Sequence, residues 1–259
     1  MAEAMIKGTV ADQLLTPADI ACADPLPKRV TDLAERFGVR TSTDNAEVVP
    51  GADVVVMSIK PQMLHEVTAK LKGKLTQDQL VLSIMAGITT KQLVDGLGTP
   101  AVVRVMPNTP AQIGMGMSVW CATEAVTPEQ RELARQVLAA LGKELYVTHE
   151  KQLDMATALS GSGPAFVFLF MEALVDAGVH MGFNRTVAKD LVIQTVKGSA
   201  AFAEQSPEHF AHLRNMVTSP GGTTADAIYQ LEKGGLRTII SKAVHSAFQK
   251  SIHLSRQEG

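Results

Sequence analysis

Asp53-Val-Val-Val-Met-Ser-Ile-Lys60-Pro61-Gln-Met-Leu-His-Glu-Val-Thr-Ala-Lys-Leu71 is the stretch that decides the fold. Residues 53–59 form an apolar, β-branched run, and a proline stops it. From 61 to 71 the apolar positions recur at helical spacing. Proline is tolerated in the first turn of a helix, so Pro61 ends a strand and opens a helix in one step. The same strand-then-helix alternation recurs from 19 to about 147. It places strands at 19–23, 39–41, 80–85, 101–106 and 145–148, with helices over 27–37 and 128–141. Residues 116–122 read as an added antiparallel edge. Repeated βα units of this kind predict a doubly wound, Rossmann-like α/β domain spanning 1–149.

Beyond Glu150 the strand signals stop. Helical patterns take over at 150–159, 164–181, 186–204, 207–217 and 235–255, so 150–259 reads as an all-α second domain. The segment Phe166-Val-Phe-Leu-Phe-Met-Glu-Ala-Leu-Val-Asp-Ala-Gly-Val is apolar around most of its circumference and has to be enclosed on several sides. A second subunit is a natural way to enclose it. Only 256–259 look frayed.

Bulk properties narrow the function. The 259 residues are 46% hydrophobic and 19% charged with a formal net charge of -2, which gives no basic surface for nucleic acid. Aromatic residues, at 4%, are too few for base or sugar stacking. The two cysteines, Cys22 and Cys121, match no metal-ligand spacing and fit a reduced, cytoplasmic protein. The longest uninterrupted apolar runs, such as 166–171, fall short of the ~18 residues of a membrane span, so no membrane partner is expected. Met1-Ala-Glu-Ala-Met-Ile-Lys-Gly lacks the layout of a secretory signal and reads as a helix already begun.

Ligands of an open α/β sheet sit beyond the carboxyl ends of its strands. Three strand ends therefore come first. Ser58-Ile-Lys-Pro61 offers Lys60 and the start of a helix to an anion, and Lys60 reads equally as a solvated lysine. Ser83-Ile-Met-Ala-Gly-Ile-Thr-Thr has small residues where backbone approaches a ligand, or simply a tight turn. Val103-Arg-Val-Met-Pro-Asn-Thr-Pro-Ala fixes Asn108 and Thr109 between prolines, as ligand donors or as a self-contained Asx turn. In the helical half, Leu159-Ser-Gly-Ser-Gly-Pro-Ala and Val217-Thr-Ser-Pro-Gly-Gly-Thr-Thr both read as breaks before a helix start. Each is a site for a small anion or a plain cap. None of the seven histidines falls in a metal-binding or triad-like arrangement, and Gly161-Ser-Gly lacks the frame of a nucleophile elbow. No metal is expected. Such a chain suits chemistry that a cofactor performs and the protein positions.

Three blocks in order carry a resemblance that runs from Met1 to about Ser255. They are Val103-Arg-Val-Met-Pro-Asn-Thr-Pro-Ala, Ala158-Leu-Ser-Gly-Ser-Gly-Pro-Ala with Glu172-Ala-Leu-Val-Asp-Ala-Gly-Val, and Val217-Thr-Ser-Pro-Gly-Gly-Thr-Thr. The chain resembles the pyrroline-5-carboxylate reductases, which join a nucleotide-binding domain to an interlocking helical domain as homodimers or larger homo-oligomers. The resemblance implies reduction of L-1-pyrroline-5-carboxylate to L-proline, the last step of proline biosynthesis. It places the nicotinamide cofactor along Asn45, Ser58, Ile59, Lys60, Pro61, Ile84, Met85 and Ala86, with Glu150 at the nicotinamide end. It assigns the small-molecule substrate to Asn215, Thr223 and Thr224, with Thr224 the catalytic contact to the imine nitrogen. NADPH is the expected cofactor and NADH the alternative. Asp24 at a strand end suits a free ribose hydroxyl, whereas Lys28 and Arg29 suit a 2′-phosphate.

The family has a strand and a G-x-G-x-x-G-type loop before the helix that starts here at Met1. The expectation is therefore a nucleotide-binding domain lacking its first strand and its pyrophosphate cradle. Two rival readings follow. One is a reductase of a hydroxy acid or another imine, using Lys189 or Lys197 as proton donor. The other is a non-catalytic dimerising remnant, against which stands the intact block at 217–224.

Overall fold

The computed structural model describes residues 1–257. Contacts divide the chain into two compact units. One is Met1–Ser162 together with the end of the last helix from Ala247, and the other is Gly163–Ser246.

In the first unit, helix α1 (Ala2–Ala11) precedes strand β1 (Ala21–Ala23), helix α2 (Pro27–Phe37), strand β2 (Arg40–Ser42) and a single helical turn, α3 (Asn45–Val48). Then come β3 (Val54–Met57), α4 (Leu64–Leu71), β4 (Leu80–Ser83), α5 (Thr90–Leu97), β5 (Val102–Met106), β6 (Gly116–Ala122), α6 (Pro128–Ala139), β7 (Gly142–Tyr146) and α7 (Lys151–Ala156). β1 and β2 pair in parallel, and a separate sheet has the order β3-β4-β5-β6-β7. All neighbours in that sheet are parallel except β5 and β6. The antiparallel strand is where the sequence placed it, but it is not an edge. β7 pairs along its outer side, because Gly142, at φ 130°, lets the chain after α6 come back alongside Gly116.

Strand β4 shows why the unit is doubly wound. Leu80, Val81, Leu82 and Ser83 are all fully buried, so neither face of the strand meets water. Leu80 and Leu82 join the cluster under α1 and α6, with Val103, Val105, Trp120 and Leu138. Val81 points the other way, to Val67, Leu71, Leu93 and Leu97 of α4 and α5. The alternation of side chains along β5 puts Arg104 on the face of Val102, opposite Val103 and Val105. α1 lies tightly on the end of α6, where a Cβ at Gly8 would fall 2.3 Å from the Ala140 carbonyl oxygen.

The second unit is helical: α8 (Gly163–His180), α9 (Arg185–Gln205), α10 (Phe210–Met216), α11 (Thr223–Lys233) and most of α12 (Leu236–Gln257). Asn184 caps α9 through a 2.9 Å bond from the Val187 N–H. Large apolar side chains stand exposed on the single chain, among them Phe168 at 61%, Leu169 at 66% and Ile239 at 61%. The α12 helix runs on through Gln257, so part of the fray expected at 256–259 is helical, and Glu258 and Gly259 lie outside the described residues.

The break at 159–165 is narrower than expected: residues 157–161 form a π-helical turn, Ser162 is a bend, and the α-helix resumes at Gly163. The hydroxyls of Thr157, Ser160 and Ser162 donate to the carbonyls of Leu153, Ala156 and Thr157, which satisfies groups that the wider turn frees. By length and mean hydropathy the stretch Lys151–His180 would suffice to cross a membrane, a property that counting uninterrupted apolar runs did not reveal.

Candidate functional site

The carboxyl ends of β3 and β4 build an open groove of about 340 Å³. One wall is Ser58, Ile59, Lys60 and Pro61; the other is Ile84, Met85 and Ala86, with Met1 adjoining. Seven of the expected cofactor contacts thus come together in one place. The two strand ends are tied by the Ile84 N–H, which donates to the Met57 carbonyl at 3.2 Å. The Ser83 hydroxyl, buried in β4, accepts from the Met85 N–H at 3.3 Å. Lys60 is exposed, and its ammonium is free to meet an anion in the groove. The helix after it starts differently from expectation. Residues 61–63 form a 3₁₀ turn, and the α-helix begins only at Leu64.

Asn45 and Glu150 do not line this groove. Asn45 opens the turn α3, which Asp44 caps by accepting from the Ala46 N–H at 2.9 Å. Glu150 precedes α7, and its carboxylate is already engaged. Oε1 accepts from the Thr90 N–H at 2.7 Å and from Arg104 Nη1 at 2.9 Å, while Oε2 accepts from the Thr90 hydroxyl at 2.9 Å. Arg104 Nη2 lies 3.8 Å from Asp154 Oδ1. Asp154 in turn accepts from the hydroxyls of Ser251 and Ser255 at 2.8 and 3.0 Å. Beside this network Cys121 is buried, and desolvation, with the Glu150 charge second, pushes its thiol up to about 11.

Sequence reasoning quoted Arg104 without giving it a role and passed over Asp154. The signals were present: a charged residue inside an apolar strand, and two acids one helical turn apart at 150 and 154.

The Asn108 side chain serves the fold. It accepts from the Met117 N–H at 2.9 Å and donates to the Ser160 carbonyl at 3.1 Å. At the end of β1, Asp24 accepts from the Leu26 N–H at 2.9 Å, and Arg29 is bonded to Glu3 and Asp32 at 2.6 and 2.9 Å. Lys28 remains exposed.

In the second unit, Asn215, Thr223 and Thr224 flank the turn between α10 and α11. Asn215 lies in the last turn of α10, and its side-chain oxygen accepts from Arg214. Thr223 and Thr224 are the first two residues of α11, whose opening N–H groups have no helical carbonyl to bond. Gly221, at φ 69°, and Gly222 shape the approach: a Cβ at Gly222 would lie 2.4 Å from Ser219 Oγ. Among the described residues, neither the Thr223 nor the Thr224 hydroxyl has an intramolecular hydrogen-bond partner, so both remain available to a ligand.

Comparison with known proteins shows the family. Residues 150–254 match the family model for pyrroline-5-carboxylate reductase dimerisation, and residues 1–87 match the one described as NADP oxidoreductase coenzyme F420-dependent. The chain is 42% identical to the pyrroline-5-carboxylate reductase of Pseudomonas aeruginosa, over 100% of this chain and 95% of the relative. It is 38% identical to that of Synechocystis, over 99% and 96%. Among solved structures, a pyrroline-5-carboxylate reductase from Coxiella burnetii superposes with a TM-score of 0.89 at 36% identity, covering 98% of this chain and 95% of that one. The Plasmodium falciparum pyrroline carboxylate reductase, solved with NADP bound, gives 0.88 at 31% identity, covering 98% and 94%. The chain belongs to the pyrroline-5-carboxylate reductase family.

Proposed function

We propose that the protein reduces L-1-pyrroline-5-carboxylate to L-proline with NADPH, the division of labour being a cofactor half at 1–149 and a substrate half at 150–259. The observation that carries the reading is near-full-length similarity to reductases of this name, joined to a groove that gathers seven of the expected cofactor contacts. The groove fits a dinucleotide. It is open, lies at the carboxyl ends of parallel strands, and carries the cation of Lys60 beside the small side chain of Ala86. When bound, the cofactor supplies the hydride.

The chain's own residues position the imine. The first N–H groups of α11, with Thr223 and Asn215, suit the substrate carboxylate. The Thr224 hydroxyl donates to the ring nitrogen and orients the C=N bond. Threonine is a weak acid, so this contact acts mainly by holding geometry.

The apolar stretch 151–180 falls inside the dimerisation match. A second copy of the chain, in a homodimer or larger homo-oligomer, is the cover this supports for its exposed Phe168 and Leu169. Two unpaired cysteines support a reducing compartment such as the cytoplasm.

The test is NADPH oxidation by the full-length protein with pyrroline-5-carboxylate, proline being quantified as product. Thr224→Ala should lower kcat/KM about 10- to 100-fold, and Thr224→Ser should recover most of it. Absence of proline with the unaltered protein, or full activity of Thr224→Ala, would count against the assignment.

A further inference from the structure

We propose that Arg104 is a positioning residue for the cofactor groove, acting through Glu150 on the loop that forms one wall of it. This rests on reading the groove as the cofactor site. The wall residues Ile84, Met85 and Ala86 belong to the connection from β4 to α5. Its near end is tied down by the Ile84 and Met85 amides. Its far end, Thr90, is held through both its N–H and its hydroxyl by Glu150. Between them lies Gly87, at φ +80°. The loop is thus anchored to β3 and β4 at one end and to the Glu150 carboxylate at the other.

Glu150 is 60 residues away in sequence and about one third exposed. What fixes it is Arg104 Nη1, on the same oxygen that Thr90 uses. Arg104 is well suited to the task. It stands on β5, between two neighbouring strands, and its side chain is only 4% exposed. Its second nitrogen faces Asp154, which holds Ser251 and Ser255 of α12. That helix packs on the loop, since a Cβ at Gly87 would lie 3.4 Å from Leu254 Cβ. One guanidinium thus governs both flanks of the loop. A planar fork can serve two carboxylates at fixed angles, which the point charge of lysine does not reproduce. Burying such a charge is costly, and the two acids offset that cost.

Arg104→Lys and Thr90→Val test the idea, with NADPH affinity read by fluorescence, steady-state kinetics, and hydrogen exchange of the cofactor-free protein. Arg104→Lys should weaken NADPH binding and raise its KM about tenfold, the equivalent of one lost charge-assisted hydrogen bond. Thr90→Val should move both the same way by about threefold, and the double variant should fall short of the product of the two. kcat at saturating NADPH and KM for the imine should stay within about twofold. Exchange over 84–90 should speed up while β4 is unaffected. A purely structural role for Arg104 would lower kcat with the amount of folded enzyme and leave NADPH affinity unchanged; that result overturns the proposal. If Arg104→Lys does not fold, unchanged NADPH affinity in Thr90→Val overturns it alone. An unaltered protein that binds NADPH but reduces no imine sinks the functional assignment, and the binding comparison still decides the role of Arg104. One that binds no NADPH sinks both.

Discussion

Asp154 and Ser251 are 97 residues apart in sequence and joined by a 2.8 Å hydrogen bond in which the buried Ser251 hydroxyl donates to the Asp154 carboxylate. Within the first unit, the bond fastens the end of the last helix to α7. Asp154→Ala would leave Arg104 with one acidic partner and two serine hydroxyls without an acceptor. The expected loss is about 2–4 kcal/mol of unfolding free energy, measured by denaturant titration. A change below about 0.5 kcal/mol would show that the bond holds nothing.

Lys60 is the exposed cation of the groove. Lys60→Met should weaken NADPH binding about three- to tenfold at low salt, and the difference should shrink as salt is raised. Equal affinities for the two proteins at 50 mM salt would contradict the assignment of Lys60 to the cofactor.

Cys121 gives a pH dependence with a definite sign. Burial raises its thiol from 9.0 to about 11, so the folded state favours the protonated form. Its contribution to stability is full below pH 9 and is lost as pH rises towards 11, by on the order of 2 kcal/mol. Thermal melts across that window should show a decline that is shallower in Cys121→Ala, after allowance for the cavity. At pH 8 the native thiol should resist a thiol reagent that labels the unfolded chain. Rapid labelling of native Cys121 would refute the assigned environment.

Gly8 sits where α1 meets the end of α6. Gly8→Ala would place its methyl against backbone, which has no rotamer to change, so a loss of about 1–3 kcal/mol is expected even though alanine is the better helix former. A melting temperature at or above that of the unaltered protein would mean the helices separate easily.

How much of this was legible depends on the range of the interactions. Elements with a strong local signature are where periodicity placed them. Pro27–Phe37 is helical over the expected span, opening on proline and ending at Gly38 in the left-handed region. The helices α3, α5 and α11 were given no span: α3 is a single turn, α5 lacks the proline that marks the start of α4, and of α11 only its start after Gly222 was read. Residues 159–165 read as a break because serines, glycines and proline are poor helix formers. The Ser160 and Ser162 hydroxyls bond carbonyls a turn back and support the π-turn there, which composition does not show. The groove was legible because it is made of two strand ends, and in this architecture strand ends carry ligands. The ion network was not, because Arg104, Glu150, Asp154 and Ser251 come from three distant segments that only the tertiary fold brings together.

The most direct test of the central claim is to follow the transferred hydrogen. The full-length protein would be supplied with pyrroline-5-carboxylate and NADPH carrying deuterium at the reactive position, and the proline analysed by mass spectrometry and NMR. The account predicts proline with a single deuterium on the ring carbon that was double-bonded to nitrogen, and none at the carbon bearing the carboxylate. Unlabelled proline, label at the other carbon, or no proline would contradict direct hydride reduction of the imine by this protein.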